Sequence, residues 1–432
     1  MQRRIWFTVA LALLCLALPA ALGAEGNQEQ MNEPVTISVL TRWSDQSRQS
    51  VAFRERLQLF MEEHPHIVIE DLSVNNENSF QEKLRVLIAS GDVPEIVQNY
   101  GGAGSRVYFE NNVFIDLRPY LSSDPQWRDA FLPSMFDQWE YDDLTGVYGV
   151  PYEIFAISLF YNRDIFAELG LAPPQTVEEL IDQAEVLLAA GYVPLATGVA
   201  DNFRGDHLFT NLFVKRYGDA PVHALSQGTA SFEDPQIIDI LSLMQAMNRS
   251  GVLGENISAI DYATNNAMFG SGESAMHFDG SWFLSDPSLA GIDAGVVPFP
   301  SFEGAPEFRN HVVGGPGAGL SVAATDDPRR LEAAITLLRY LTSLEHFSYL
   351  RDATGGGVYP VDLPASDAID RVTVEYLESY REAEAFVPGV ASGIPLPQMV
   401  QVFRNAIQGM LAGALTPEQA ARQMAAEHSL AQ

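Results

Sequence analysis

The sequence predicts an α/β protein built from two domains, and three observations lead there. The first hundred residues switch hydrophobic period between 2 and 3.6 and read strand, helix, strand, helix, strand, the grammar of a largely parallel sheet. The same grammar resumes after about residue 150. A chain of 432 residues also exceeds what one simple core organises.

The chain starts with Arg3-Arg4, followed by an uncharged apolar run from Ile5 to Leu18 and the small residues Ala21 and Gly23. A short run ending in a cleavage-like site predicts a secretory signal peptide over 1–24 rather than a membrane span. The protein is therefore expected outside the cytoplasm, in a periplasm or beyond it. No second run of eighteen apolar residues follows, so the processed chain is expected to be soluble. Cys15 is the sole cysteine, so neither a disulfide framework nor a thiolate metal site is expected. Cys15 offers an alternative as a lipoprotein cysteine, opposed by the bulk of Leu14 where a lipobox wants a small residue.

The polar stretch 25–34 reads as a disordered leader. Val35–Val39 alternates as a half-buried strand, and Phe53, Leu57, Phe60 and Met61 then share one helical face. His66–Val74 reads as the second strand. Ser79-Phe-Gln-Glu82 is a capping box that opens a helix ended by Gly91, and Val93–Val97 is the next strand. Ile154–Tyr161 is a strand. Pro173-Pro174 breaks the chain before a second capping box, Thr176-Val-Glu-Glu179, which leads Leu180, Ala184, Leu187 and Leu188. Asp327-Pro328 and Thr416-Pro417 start late helices.

The formal charge of −31 repels nucleic acid and anionic lipid. Lys83 and Lys215 are the only lysines. Two explanations stand side by side, a saline habitat that screens the self-repulsion and GC-rich codon usage with ordinary periplasmic acidity. The chain has no GxSxG elbow, no HExxH helix and no GK dipeptide. Gly314–Gly319 does not fit a phosphate loop, because Pro316 removes an amide donor. His64-Pro-His66 reads as exposed turn histidines, and Glu140–Asp143 as a solvated turn. No cofactor, metal or catalytic residue is assigned, although a carboxylate pair for glycoside hydrolysis stays open among 56 acidic residues.

Several segments in order resemble the carbohydrate-binding cluster of extracellular solute-binding proteins, the maltose-binding-protein-like capture subunits of ABC importers. Ala89-Ser-Gly-Asp-Val-Pro-Glu-Ile96 is similar to the family's turn into a strand, with Glu95 where Asp is usual. Gly146–Tyr152 with Leu159–Asn162 resembles its first crossing between lobes. Phe166–Pro174 followed by Thr176 resembles its helix-loop-helix, and Gly272–Trp282 is the most specific match. Gly314–Ser321 and Gly355–Pro360 resemble its later glycine turns. The resemblance implies a type II-like periplasmic-binding fold, two α/β lobes of discontinuous chain with a ligand cleft between them. Lobe one is expected at 35–149 and 298–345, and lobe two at 152–295 and 348–428. It also implies a monomer that closes on its ligand and then docks on a membrane permease.

A sugar presents flat C–H faces and a rim of hydroxyls, so its site needs aromatic platforms and polar groups at strand ends. Trp43 and Asp45 follow the first strand, and Asn99 and Tyr100 follow the third. For Trp43 the alternative is a core residue. Tyr152 and Glu153 sit at the expected crossing, where hinge packing is the alternative. In the loop Asp201–His207 the resemblance implies Phe203 with Arg204 or His207 as contacts; a plain surface loop is the alternative. It implies Trp282 as a platform with Asp279 accepting hydroxyls, while Gly314 and Gly315 offer close approach to backbone amides. The expected function is capture of a mono- or oligosaccharide for import. A secreted hydrolase, or the same fold with another solute such as a polyamine or glycerol phosphate, are the alternatives.

Overall fold

The computed structural model describes residues 34–132, 134–141, 143–394 and 397–430. The expected signal peptide, Cys15, the leader up to Glu33, and Asp142 of the carboxylate cluster lie outside the described residues.

The first lobe is organised by the sheet β2-β1-β3-β13-β6. Strands β1 (Val35–Leu40), β2 (Ile67–Asp71) and β3 (Ile96–Asn99) run parallel, and β13 (Gly319–Val322) runs antiparallel to β3 and to β6 (Val150–Pro151). Alternation along β1 and β3 explains why the sheet is covered on both faces. Ile37, Val39 and Ile96 enter one core with Phe53, Leu57 and Phe60 of the helix Arg48–Glu63. Leu40 and Val97 enter the opposite core with Phe80, Leu84 and Trp139.

The second lobe is organised by the sheet β11-β8-β10-β9. Here β8 (Ser158–Asn162) pairs antiparallel with β10 (Ser274–Asp279) and β11 (Ala294–Pro298), and β9 (Val193–Ala196) lies parallel to β10. Leu159, Met276 and Phe278 face one core, while Phe160 faces the other beside Phe269 and Phe283. A third sheet, β14-β12-β7, joins β7 (Ile154–Ala156), β12 (His311–Pro316) and β14 (Ala385–Val387). A two-stranded ribbon pairs β4 (Glu140–Tyr141) with β5 (Leu144–Val147).

Several expected boundaries move. The helix anticipated from Ser79 begins at Glu77, because Asn76 is the cap and its side chain accepts the Ser79 amide at 3.0 Å. The second strand is shorter than His66–Val74, and the third lies at 96–99 rather than 93–97. The single strand expected over 154–161 is interrupted at Ile157 and serves two sheets. The second capping box forms as read: Thr176 accepts the Glu179 amide at 3.1 Å, and Glu179 reaches back to the Gln175 amide. Phe299, Phe302 and Val313 pack with the core that holds Leu159 and Met276. Phe347, Leu350, Tyr359 and Val361 pack with the core that holds Ile37 and Phe53.

Candidate functional site

The first strand ends by handing its backbone to the neighbouring strand. The Arg42 amide donates to Gln98 Oε1 at 2.7 Å, and the Trp43 amide donates to Thr41 Oγ1 at 3.1 Å. Trp43 is thereby laid against Tyr152, with ring centroids 4.3 Å apart, and against Phe53 at 4.7 Å. Both predicted aromatics come together, but in packed form: Trp43 is 6% exposed and Tyr152 is fully buried, its hydroxyl 2.6 Å from His346 Nε2.

Arg42 leaves the same strand end and pairs with Glu77 at 3.0 Å, and the Tyr100 hydroxyl donates to Glu77 at 2.9 Å. Burial alone would lower the Arg42 pKa, but Tyr100 and Glu77 outweigh it and carry it above its ordinary value. Burial pushes the Glu77 carboxyl up, yet Arg42 and then Arg404 hold it below the ordinary range. Neither Arg42 nor Glu77 was among the expected contacts. Arg42 carries the same strand-end signal as Trp43, whereas Glu77 reads locally as a helix-start acid.

Asn99 is spent on the chain itself, its Oδ1 accepting the Gly101 amide at 2.6 Å. Asp45 is exposed, and its Oδ1 accepts the amide and hydroxyl of Ser47 to lead into the helix Arg48–Glu63. Glu153 is half-buried and accepts Gln49 Nε2 at 2.7 Å. Burial raises its pKa against the opposing pull of Gln49 and Arg42.

Across from these groups lies the second lobe. Phe203, Arg204 and His207 do not form a loop but open the helix Phe203–Tyr217. Phe203, His207 and Trp282 form a chain of rings at 5.4 and 5.8 Å, and Phe155 extends it from Trp282 at 5.7 Å. Tyr262, which no local pattern singles out, lies 5.7 Å from Phe203 and within electrostatic reach of Arg42 in the other lobe. Burial drives the His207 pKa down to about 4, against the pull of Asp206, so its imidazole is neutral near pH 7.

Arg204 and Asp279 form a buried pair. Both are fully buried and lie 3.4 Å apart, with Arg204 Nη1 donating to the Phe278 carbonyl at 2.7 Å. Asp279 further receives His277 Nε2 at 3.0 Å and the Gly280 amide at 2.9 Å. Burial would raise the Asp279 pKa, but Arg204 and then His277 lower it. The pair therefore braces the turn that presents Trp282 instead of lining the surface. Gly314 is a strand-packing residue: a Cβ there would meet the Phe155 carbonyl oxygen at 2.4 Å. Gly315, with φ of 132°, uses conformational freedom that side chains rarely adopt.

The lobes touch across this site. Asn76 Nδ2 donates to Asp201 Oδ1 at 2.8 Å, and Asp201 Oδ2 accepts the Tyr262 amide at 2.8 Å. Arg48 reaches from lobe one to Asp370 at 3.0 Å and to the Leu284 carbonyl at 2.8 Å. Several buried polar atoms facing these contacts lack a protein partner: Arg42 Nε, Arg204 Nε and Nη2, and His207 Nδ1. Ring clusters in both lobes, with the part-exposed rings of Trp282 and Tyr100 and polar atoms still able to bond, suit a ligand having both flat apolar faces and hydroxyls.

Known proteins agree with this architecture. Residues 44–345 match the model of the bacterial extracellular solute-binding protein family. The chain is similar to the multiple sugar-binding protein of Streptococcus mutans, 22% identical over 366 residues that span 82% of this chain and 83% of the relative. It is similar to the sn-glycerol-3-phosphate-binding periplasmic protein UgpB of Salmonella typhimurium, 25% identical over 294 residues spanning 61% and 62%. Among solved structures, a chitin oligosaccharide binding protein superposes with a TM-score of 0.82 at 21% identity, covering 92% of this chain and 99% of that one. With more than half of its length matched by the family model, the chain belongs to the bacterial extracellular solute-binding proteins.

Proposed function

We propose that the protein captures a mono- or oligosaccharide outside the cytoplasm and delivers it, as a monomer, to the membrane permease of an ABC importer. The observation that carries this reading is a ring cluster in each lobe, Trp43 with Tyr152 and Phe203 with His207 and Trp282, beside the Asn76–Asp201 contact that joins the lobes. Trp282 and Tyr100 supply partly exposed rings, while Arg42, Glu153 and His207 supply hydrogen-bonding groups. The names of the sugar-binding relatives support the same ligand class.

In this reading the lobes are 35–152 with 319–361 and 157–316 with 385–426, following the two main cores. Ligand that touches both lobes binds the closed form more tightly and shifts the population toward it. The bound sugar leaves unchanged, since capture requires no bond-breaking step.

A thermal-shift screen against neutral sugars, polyols and polyamines tests the reading. A ligand at about a hundred times its Kd adds roughly 2.7 kcal/mol, a shift of several degrees. A shift with one sugar class and no turnover of that sugar supports capture. Cleavage of the sugar by pure protein overturns it.

A further inference from the structure

Charges around the site are balanced in an unusual way. Three arginines lie in and beneath the site, and each already has a carboxylate. Arg42 pairs with Glu77 at 3.0 Å, Arg204 with Asp279 at 3.4 Å, and Arg404 with Asp206 at 3.2 Å. Glu77, Asp279 and Asp206 are all at least nine-tenths buried, so solvent does little to weaken these pairs. Two further carboxylates stand nearby: Asp201, held by Asn76 and the Tyr262 amide, and Glu153, held by Gln49 and drawing on the same Arg42 that Glu77 already neutralises. Arg54 has its guanidinium occupied by the carbonyls of Trp43 and Asp45 at the edge of the site.

An anionic ligand gains affinity from a cation whose charge is not already cancelled. Here it would meet neutralised arginines and surplus carboxylates, in a chain of formal charge −31 whose long-range field repels it as well. An uncharged ligand meets no such penalty. It still finds a donor, since Arg42, part-exposed, has no protein partner at Nε.

We propose that the site accepts uncharged glycans and rejects anionic ones, with Glu77 as the specificity-determining residue that cancels the charge of Arg42. The proposal deepens the sugar-capture reading and rests on it. It separates this chain in ligand chemistry from a binder of a phosphorylated solute. Glu77 suits the role by position. It opens the helix Glu77–Ser90 directly after Asn76, which reaches Asp201 of the other lobe, so Glu77 lies at the seam where the lobes meet.

The test compares matched ligands by calorimetric titration of the processed protein. The probes are maltotriose, cellotriose, xylotriose and chitotriose, each beside the same sugar oxidised to carry one carboxylate, together with glucose 6-phosphate and sn-glycerol 3-phosphate. The expected result is binding of at least one neutral sugar, with its carboxylate form weaker by ~100-fold or more and no binding of the phosphates. Glu77→Gln keeps the shape and one of the two accepting oxygens and removes the charge, so it should narrow that gap by about tenfold while melting stays cooperative. An oxidised or phosphorylated ligand that binds wild type as well as the neutral sugar, or better, overturns the proposal. A gap unchanged in Glu77→Gln overturns the role of Glu77. Wild-type protein that melts cooperatively and binds neither member of any pair overturns the sugar reading itself, and the proposal with it.

Discussion

Arg204 and Asp279 face each other at 3.4 Å with both side chains fully buried, one at the start of a helix and the other at the end of β10. Removing one partner leaves the other charged in a poorly solvated place. Asp279→Ala should therefore cost about 3–5 kcal/mol in urea unfolding. Replacing the pair together with Arg204→Met and Asp279→Leu should recover part of that loss. Additive costs in the double variant would contradict a directly coupled pair.

Trp282 is partly exposed and touches His207 and Phe155 through ring contacts of 5.8 and 5.7 Å. Trp282→Ala removes a platform ring that also packs at the edge of two cores. Sugar affinity should fall about 10- to 100-fold by titration, and Trp282→Phe, which keeps most of the packing, should lose less of both affinity and Tm. Unchanged affinity would remove Trp282 from the binding surface.

Stability should fall with acidity below neutral. Burial lowers the pKa of His207 to about 4 and also lowers those of His277 and His346 from the ordinary 6.5. These histidines are neutral when folded and take up protons when unfolded. Their contribution is complete above about pH 6.5 and is lost as pH falls toward their folded values, at up to about 1.4 kcal/mol per pH unit for each. Asp279 titrates lower than its ordinary 3.8 and adds nothing to this window. Unfolding in urea from pH 7.5 to 4.5 measures the slope, and a flat profile would contradict neutral burial.

Asn76 both caps a helix, through the Ser79 amide at 3.0 Å, and bridges to Asp201 at 2.8 Å. Asn76→Ser keeps a capping oxygen but cannot span to the other lobe. Its Tm should stay within a few degrees, corresponding to under about 1 kcal/mol. X-ray scattering should show a more open ligand-free form. A radius of gyration equal to that of wild type would show that this bridge does not hold the lobes together.

Gly314→Ala should be costly for a reason unrelated to ligand. The new Cβ would lie 2.4 Å from the Phe155 carbonyl oxygen, so β12 and β7 would have to separate. A loss of about 1–3 kcal/mol is expected by denaturation. A neutral effect would mean that this sheet tolerates spreading.

Much of the fold was legible because its determinants are local. Period-2 alternation reads Val35–Leu40 as a strand, and Thr176 with Glu179 forms a cap within four residues. Those signals, with the ordered motifs ending in Gly272–Trp282, suffice for two α/β lobes and for the solute-binding family. Tertiary structure decided what local pattern does not encode. Ile154–Asn162 looks like one strand, yet its halves bond to different sheets, the first to β12 and the second to β10. Asp279 and Arg204 look like polar ligand contacts, but the sheet brings them together across 75 residues and buries them as a pair. Arg42, Glu77 and Tyr262 acquire meaning only when the two lobes meet. Hydrophobic period depends on neighbours along the chain, whereas exposure and charge pairing at the site depend on neighbours in space.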